Sequence, residues 1–216
     1  MLHLLRDDFF GEQRLAELRR DLGPADFQSL NVSFLDGPRL TLSDLRESTE
    51  AMPFLGDRRM VVVRRLFSSS AGRPADEADN ADTRRGKAEA ERDREFLAYL
   101  PRVPDFTILV LYEDADFRGN HPAVKVVRDA GGEALPSMAP APNDLPDWIG
   151  ERVRQKGGRI DRPAIEDLVG VGVDDFRQLD QNLDKLVTYA DTREITRGDV
   201  SALVPLSTDV TVFALV

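Results

Sequence analysis

The residues that follow the first apolar segment are the place where an ATPase of the α/β type would bind phosphate. Such a loop needs several glycines and a lysine, so that backbone N–H groups and an ammonium surround the phosphates. The sequence "RDDFFGEQR" (6–14) has one glycine, no lysine and two aspartates. The Gly86-Lys87 pair has Ala81 where the first glycine should be and Ala88 in place of the Mg²⁺-binding hydroxyl. The sequence therefore argues against ATP binding at the usual place.

Other candidate chemistry is equally sparse. The acidic stretch "YEDADF" (112–117) follows an apolar run, but a Mg²⁺ site there would depend on substrate phosphates for most of its ligands. Acidic residues on a solvated strand–helix loop explain this stretch more simply. The two histidines, His3 and His121, lie far apart, and the chain has no cysteine. We therefore predict no catalytic residue, no metal site and no cofactor.

The stretch "EAMPFLGDRRMVVVRR" (50–65) raises a different question, because two large apolar residues follow a proline at a turn. Pro53 interrupts a helix-like run, and Phe54 and Leu55 come directly after it. Either these two side chains cap the core of the sheet beneath the loop, or they reach outward to a partner. The residues alone leave both interpretations open.

Composition narrows the function classes. The chain has 216 residues, is 41% hydrophobic and carries a formal net charge of −10, which disfavours tight DNA binding by this chain alone. Arg58, Arg59, Arg64 and Arg65 could form a local basic face, although a solvated strand edge and turn is the simpler interpretation. No apolar run is long enough to span a membrane, and the lack of cysteine fits a reducing cytoplasm.

Strands alternate with helices in the first two thirds of the chain. Near-continuous β-branched runs such as "RMVVVRRLF" predict strands that are buried on both faces. Apolar residues spaced three or four apart predict helices. We predict a helix at 41–52 with Ser43 as its N-cap. This order predicts a mainly parallel sheet covered on both faces. The predicted strands are 2–5, 27–35, 59–67, 107–112 and 132–137, and the predicted helices are 11–23, 41–52 and 121–132.

The rest of the chain has a different character. Residues 68–95 have no apolar side chain larger than alanine, which predicts a flexible loop that passes, from about Lys87, into a helix ending at 96–100. A proline-rich linker (136–146) precedes a small helical domain, and the apolar tail predicts that a further domain is missing. The predicted helices are 144–158, 161–172, 174–190 and 195–205, with Thr196 as a cap. The predicted core is Trp148, Ile149, Leu168, Phe176, Leu179, Leu183 and Leu186.

These segments, taken in order, resemble the delta subunit family of the bacterial DNA polymerase III clamp loader. The resemblance rests on "LLRDDFF", "AMPFLGDRRMVVVRR", "FTILVLY", "LPDWIGERVRQKGGRID", "QLDQNLDKLVTYA", "ITRGDVSALV" and "TVFALV". It implies an ATPase-type (AAA+-like) α/β domain over 1–140 and a helical lid domain over 144–206. Residues 207–216 would begin the linker to a C-terminal collar domain that this chain lacks. Arg6 departs from the family pattern, which commonly has glycine there, and the polar insertion is a second departure.

The resemblance also implies a function. The positions that match the family's clamp-binding plug are Met52, Pro53, Phe54 and Leu55. Family members bind the sliding clamp (the beta subunit) and favour its open ring without hydrolysing ATP. The implied setting is the cytoplasmic DNA polymerase III holoenzyme, a DNA-directed DNA polymerase. There the collar would join delta-prime and gamma/tau subunits, and DNA would be met only within the complex. A divergent ATPase and a delta-prime-like subunit remain alternatives, although the latter type usually carries cysteine ligands for zinc.

Overall fold

The computed structural model describes residues 1–68, 84–136, 139–172 and 175–204. The chain divides into two compact units, residues 1–138 and residues 139–216. Part of the polar insertion, including the predicted flexible loop over 69–83, lies outside the described residues. The predicted linker after residue 206 and the apolar tail lie outside them as well. Within the described residues, no helix is both long enough and apolar enough to cross a membrane.

The first unit is built on a sheet of five strands. They run in parallel in the spatial order β2-β3-β4-β1-β5. Parallel neighbours need crossover connections, and the helices between the strands supply them. The predicted parallel sheet is therefore confirmed. The strands are β1 (Leu2–Arg6), β2 (Val32–Asp36), β3 (Arg59–Arg64), β4 (Thr107–Glu113) and β5 (Glu133–Ala134).

The two central strands are buried on both faces. Val61 and Val63 of β3 pack in one apolar cluster, while Met60 and Val62 pack in a second one. Alternate side chains of a strand point to opposite faces, so β3 serves two cores at once. This double burial is the reason for the unbroken apolar run at 60–63, and the prediction made from that run is confirmed.

The boundaries of several elements differ from prediction. The strand predicted over 27–35 begins only at Val32, because residues up to Asn31 form a helix. The alternation that indicated a strand counted Leu30, whose side chain instead projects from the end of that helix. The strand predicted to reach residue 67 ends at Arg64, since Arg65 has φ of 55° and turns the chain. The helices are α1 (Phe9–Arg20), α2 (Ala25–Asn31), α3 (Leu42–Glu50), α4 (Arg84–Tyr99) and α5 (Pro122–Asp129).

The N-cap predicted for α3 is wrong by two residues. Thr41 caps the helix by accepting the Asp44 N–H, and the Asp44 carboxylate accepts the Thr41 N–H in return. This reciprocal capping box satisfies two backbone donors, whereas a cap at Ser43 would satisfy only one. The helix therefore begins at Leu42.

The second unit is a small helical bundle around its own apolar core. Ile149, Leu168, Leu179, Leu183 and Leu186 are buried as predicted, whereas Trp148 and Phe176 are only partly buried and meet edge to face. Thr196 caps its helix as predicted, with Asp199 completing a capping box. The helices are α6 (Leu145–Gln155), α7 (Arg162–Gly170), α8 (Phe176–Ala190) and α9 (Arg197–Leu203). A short parallel pair, β6 (Arg159–Ile160) and β7 (Glu194–Ile195), was not predicted.

Candidate protein-binding site

The edge of the sheet that usually binds nucleotide carries its own carboxylate here. In parallel sheets, ligands bind at the carboxyl ends of strands whose outgoing connections diverge, which here are β1 and β4. Asp8 caps α1 at this point, because its Oδ1 accepts the Gly11 N–H at 2.7 Å. A Cβ on Gly11 would lie 1.8 Å from the Arg6 carbonyl oxygen, so the turn admits only glycine. The Asp8 carboxylate thus takes the place that a phosphate would occupy at a helix N-terminus.

Arg6, at a position where the family that the sequence resembles commonly has glycine, has a structural role at the same edge. Its Nε and Nη2 donate to the carbonyl oxygen of Phe117 at 3.1 and 3.0 Å. The guanidinium therefore joins the end of β1 to the loop after β4. Gly86 and Lys87, the remaining fragment of a phosphate-loop pattern, lie within α4 rather than in a loop.

The sequence predicts that the acidic stretch at the end of β4 is a solvated loop. This prediction is wrong for Glu113. Glu113 is fully buried, and its two carboxylate oxygens accept the Phe67 N–H at 3.1 and 3.2 Å. The Ser68 hydroxyl donates to the same carboxylate at 2.6 Å and accepts the Asp114 N–H. The carboxylate therefore closes the turn after β3. Among the residues that the structure describes, no group of three or more acidic or histidine side chains could hold a metal ion.

Replacing Glu113 by glutamine is expected to change how stability depends on pH. Burial raises the pKa of the Glu113 carboxyl above its ordinary value, although bonds from Ser68 and Phe67 oppose the shift. The folded state then keeps this proton to higher pH than the unfolded chain does, so this group lowers stability as pH rises. The free energy of unfolding is measured with urea at about pH 4 and at about pH 7. The contribution that is lost as pH rises should be absent in Glu113→Gln, so its stability should fall less between the two pH values than that of the parent. An identical dependence on pH in both proteins would contradict the assignment.

The opposite edge of the sheet carries the segment of interest, which we call the apolar tip and define as residues 52–55. Helix α3 ends at Glu50, and Ala51 is already extended with φ of −63° and ψ of 133°. The helix thus stops just before the proline that was predicted to end it. A continuing helix would bring the Pro53 ring against the carbonyl of residue 49, so the chain must leave the helix before that point. The tip then lies between α3 and the amino end of β3.

The side chains of the apolar tip are exposed. Met52 and Leu55 are 75% exposed and Phe54 is 54% exposed, so the interpretation that Phe54 and Leu55 cap the core of the sheet is wrong. Leu55 has φ of 52°, a left-handed conformation that costs a non-glycine residue about 1 kcal/mol or more. The other exposed large apolar side chains in the described residues are not adjacent to one another in the sequence: Met1, Leu30, Phe34 and Tyr189. Such a concentration at a strained turn makes the tip a candidate binding surface.

Two polar side chains, one at the end of α2 and one at the start of β3, hold the backbone of the tip and of the residue before it. The Asn31 carboxamide accepts the Phe54 N–H at 2.7 Å and donates to the Phe54 carbonyl oxygen at 2.9 Å. The Arg59 guanidinium donates to the Ala51 carbonyl oxygen at 3.0 Å and to the Ser33 hydroxyl at 3.2 Å. Burial lowers the pKa of the Arg59 guanidinium, which is only partly exposed. Arg59 was predicted to be solvated, and sequence reasoning missed the role of Asn31 altogether.

The support beneath the tip is anchored as well. Thr49 is buried in the last turn of α3, and its hydroxyl lies 2.6 Å from the Tyr99 hydroxyl. The Thr107 hydroxyl of β4 donates to the Thr49 carbonyl oxygen at 2.7 Å. These bonds fix the end of α3 against both α4 and the sheet. The apolar tip therefore projects from a rigid base.

No family model and no curated protein matches the chain in comparisons of sequence. Among solved structures, the chain is similar to the DNA clamp loader delta protein of Bacillus subtilis, with 19% identity and a TM-score of 0.62. That match covers 94% of this chain and 57% of the other, so this chain spans little more than half of its length.

Two further structures are similar at lower scores. A DNA polymerase III gamma subunit-related protein of Thermotoga maritima has 16% identity and a TM-score of 0.43, covering 86% of this chain and 53% of that one. Domain III of the replication initiation protein DnaA from the same organism has 12% identity and a TM-score of 0.47, covering 94% and 82%. The likeness to the delta protein, together with the sheet order, confirms the predicted ATPase-type fold of a parallel-sheet domain followed by a small helical domain.

Proposed function

We propose that this chain is a clamp-loader subunit of the delta type. In this proposal it binds a sliding clamp through Met52, Pro53, Phe54 and Leu55 and favours the open form of the clamp ring, without hydrolysing ATP. The observation that carries the proposal is the exposed apolar tip, held by its backbone on a rigid base. The Bacillus subtilis structure, with a TM-score of 0.62, is a DNA clamp loader delta protein, and this likeness supports the same function.

The energetics of the tip are adequate for such a contact. Fully burying two large apolar side chains is worth roughly 3–6 kcal/mol, which is the scale of a hot spot in a protein interface. Binding also costs the entropy of ordering a loop, and that cost is smaller when the loop already has its bound conformation. Pro53 fixes one backbone angle, and Asn31 and Arg59 fix the backbone at Phe54 and Ala51. A pocket on the clamp would therefore meet a surface that needs little rearrangement.

The carboxyl edge of the sheet supports a role without ATP hydrolysis. The Asp8 carboxylate at the N-terminus of α1 would repel a phosphate there, and the Glu113 carboxylate is engaged by the backbone after β3. A divergent ATPase, which is one of the two alternatives, would need to move Asp8 from its cap. The fold thus offers an ATPase scaffold with a protein-binding tip at the opposite edge.

The proposal includes the wider setting. We place the chain in a cytoplasmic DNA polymerase III clamp loader, acting in DNA replication beside delta-prime and gamma/tau subunits. Contact with DNA would occur only within that complex, in keeping with the net charge of −10.

A direct binding measurement tests the proposal. The purified chain is immobilised and the sliding clamp of the same organism is passed over it, with and without ATP and Mg²⁺. We expect saturable binding that nucleotide does not change. No binding under either condition would overturn the assignment, and binding that requires ATP would favour the divergent ATPase.

A further inference from the structure

We infer that Asn31 is a positioning residue, which presets the apolar tip for its partner. The inference rests on the proposed function, because it concerns the same surface. Asn31 is 4% exposed and lies at the end of α2, outside the segment that would touch the clamp. Its carboxamide engages both the N–H and the carbonyl of Phe54, as a neighbouring strand would. It therefore acts on the partner only through the conformation of the tip.

The geometry leaves the tip few free torsions. Arg59 fixes the carbonyl of Ala51, and Asn31 fixes both backbone groups of Phe54. Only Met52 and Pro53 lie between these two points, and the proline ring sets its own φ. The direction in which Phe54 leaves the backbone is thus determined before any partner arrives.

Removal of the carboxamide should release this segment without disturbing the sheet. Asn31 makes two hydrogen bonds to Phe54, and each such bond makes a modest net contribution to holding the tip. If these bonds hold the bound conformation in the free protein, their loss should weaken clamp binding by about 5- to 30-fold. This is a smaller effect than removal of the apolar side chains themselves.

The test uses three variants of the full chain. Asn31→Ala removes the carboxamide, and Asn31→Leu keeps a side chain of similar shape without its polar atoms. Ser29→Ala, on the exposed face of the same helix, is the matched control. Clamp affinity is measured for each variant, and amide hydrogen exchange is followed at Phe54 and at residues 60–63 of β3.

The expected result separates positioning from stability. Hydrogen exchange at the Phe54 amide should rise in both Asn31 variants, while the amides of residues 60–63 stay protected. Clamp affinity should fall by about 5- to 30-fold in both variants. Ser29→Ala should behave like the parent. Unchanged affinity in both variants would overturn the inference, as would full affinity in Asn31→Leu, because packing alone would then suffice. A rise in exchange throughout β3 would overturn it too, since the effect would then be general destabilisation.

Failure of the proposed function would look different. A parent chain that does not bind the clamp overturns that function, and with it the effect of Asn31 on affinity. The exchange rate at the Phe54 amide is measured without a partner. It therefore shows separately whether Asn31 holds the tip.

Discussion

Replacing Phe54 and Leu55 together by alanine is expected to weaken sliding-clamp binding by at least about 100-fold. The two side chains, once buried in a clamp pocket, contribute roughly 3–6 kcal/mol, and each 1.4 kcal/mol is about tenfold in affinity. Both side chains are exposed in the free protein and belong to neither apolar cluster of the sheet, so their removal should not lower its stability. Calorimetric or surface-based titration of the clamp measures the loss, and thermal unfolding of the variant should match that of the parent.

A matched control distinguishes the tip from exposed apolar surface in general. Phe34 is 48% exposed on β2, close to the value for Phe54, and lies under the guanidinium groups of Arg19 and Arg64. Phe34→Ala should therefore leave clamp affinity within a few-fold of the parent. If the tip variant bound the clamp as tightly as the parent, or if Phe34→Ala weakened binding equally, the assignment of the site would be wrong.

The parallel sheet could be predicted from sequence because its signal is local. A strand buried on both faces needs apolar residues at consecutive positions, and residues 60–63 and 108–111 provide them. Where a segment is only half buried the signal is weaker. Leu30 fitted the alternation of a strand, but it stands exposed at the end of α2, so the start of β2 was placed too early.

The environment of a polar side chain could not be predicted where its hydrogen-bond partner is distant in sequence. The sequence predicts a solvated Glu113, yet its side chain is buried and accepts the N–H of Phe67, which lies 46 residues earlier in the chain. Asn31 holds Phe54 across 23 residues, and no local pattern pairs them. The capping box of Thr41 and Asp44 was different, since its i, i+3 spacing was visible in the sequence and outweighs Ser43.

For the candidate site, the sequence indicated which residues form the tip but not whether their side chains are exposed. A proline followed by Phe54 and Leu55 indicated a turn with apolar residues, but their exposure depends on where α3 ends relative to the sheet. That end is fixed by the buried Thr49 and its bonds to α4 and β4, which are tertiary contacts. Sequence could therefore name the residues of the tip but could not decide which way they face.

The parent chain, without ATP, is expected to release sliding clamps from nicked circular DNA at least about ten times faster than they leave unaided. A ligand shifts a conformational equilibrium only by its difference in affinity for the two states. If about half of the roughly 3–6 kcal/mol from the tip is gained only with the open ring, opening is favoured by about 10- to 100-fold. Labelled clamps loaded on the circle, separated by gel filtration at intervals, give the release rate.

Because a closed ring leaves circular DNA only by opening, this assay separates docking from opening. The Phe54→Ala/Leu55→Ala variant should leave the release rate at its unaided value, whereas Phe34→Ala should accelerate release as the parent does. Release from linear DNA, where a clamp slides off the end, should not depend on the protein. A parent that binds the clamp tightly but does not accelerate release would limit the function to docking. The tip would then contact closed and open rings equally, and opening would have to come from contacts outside it.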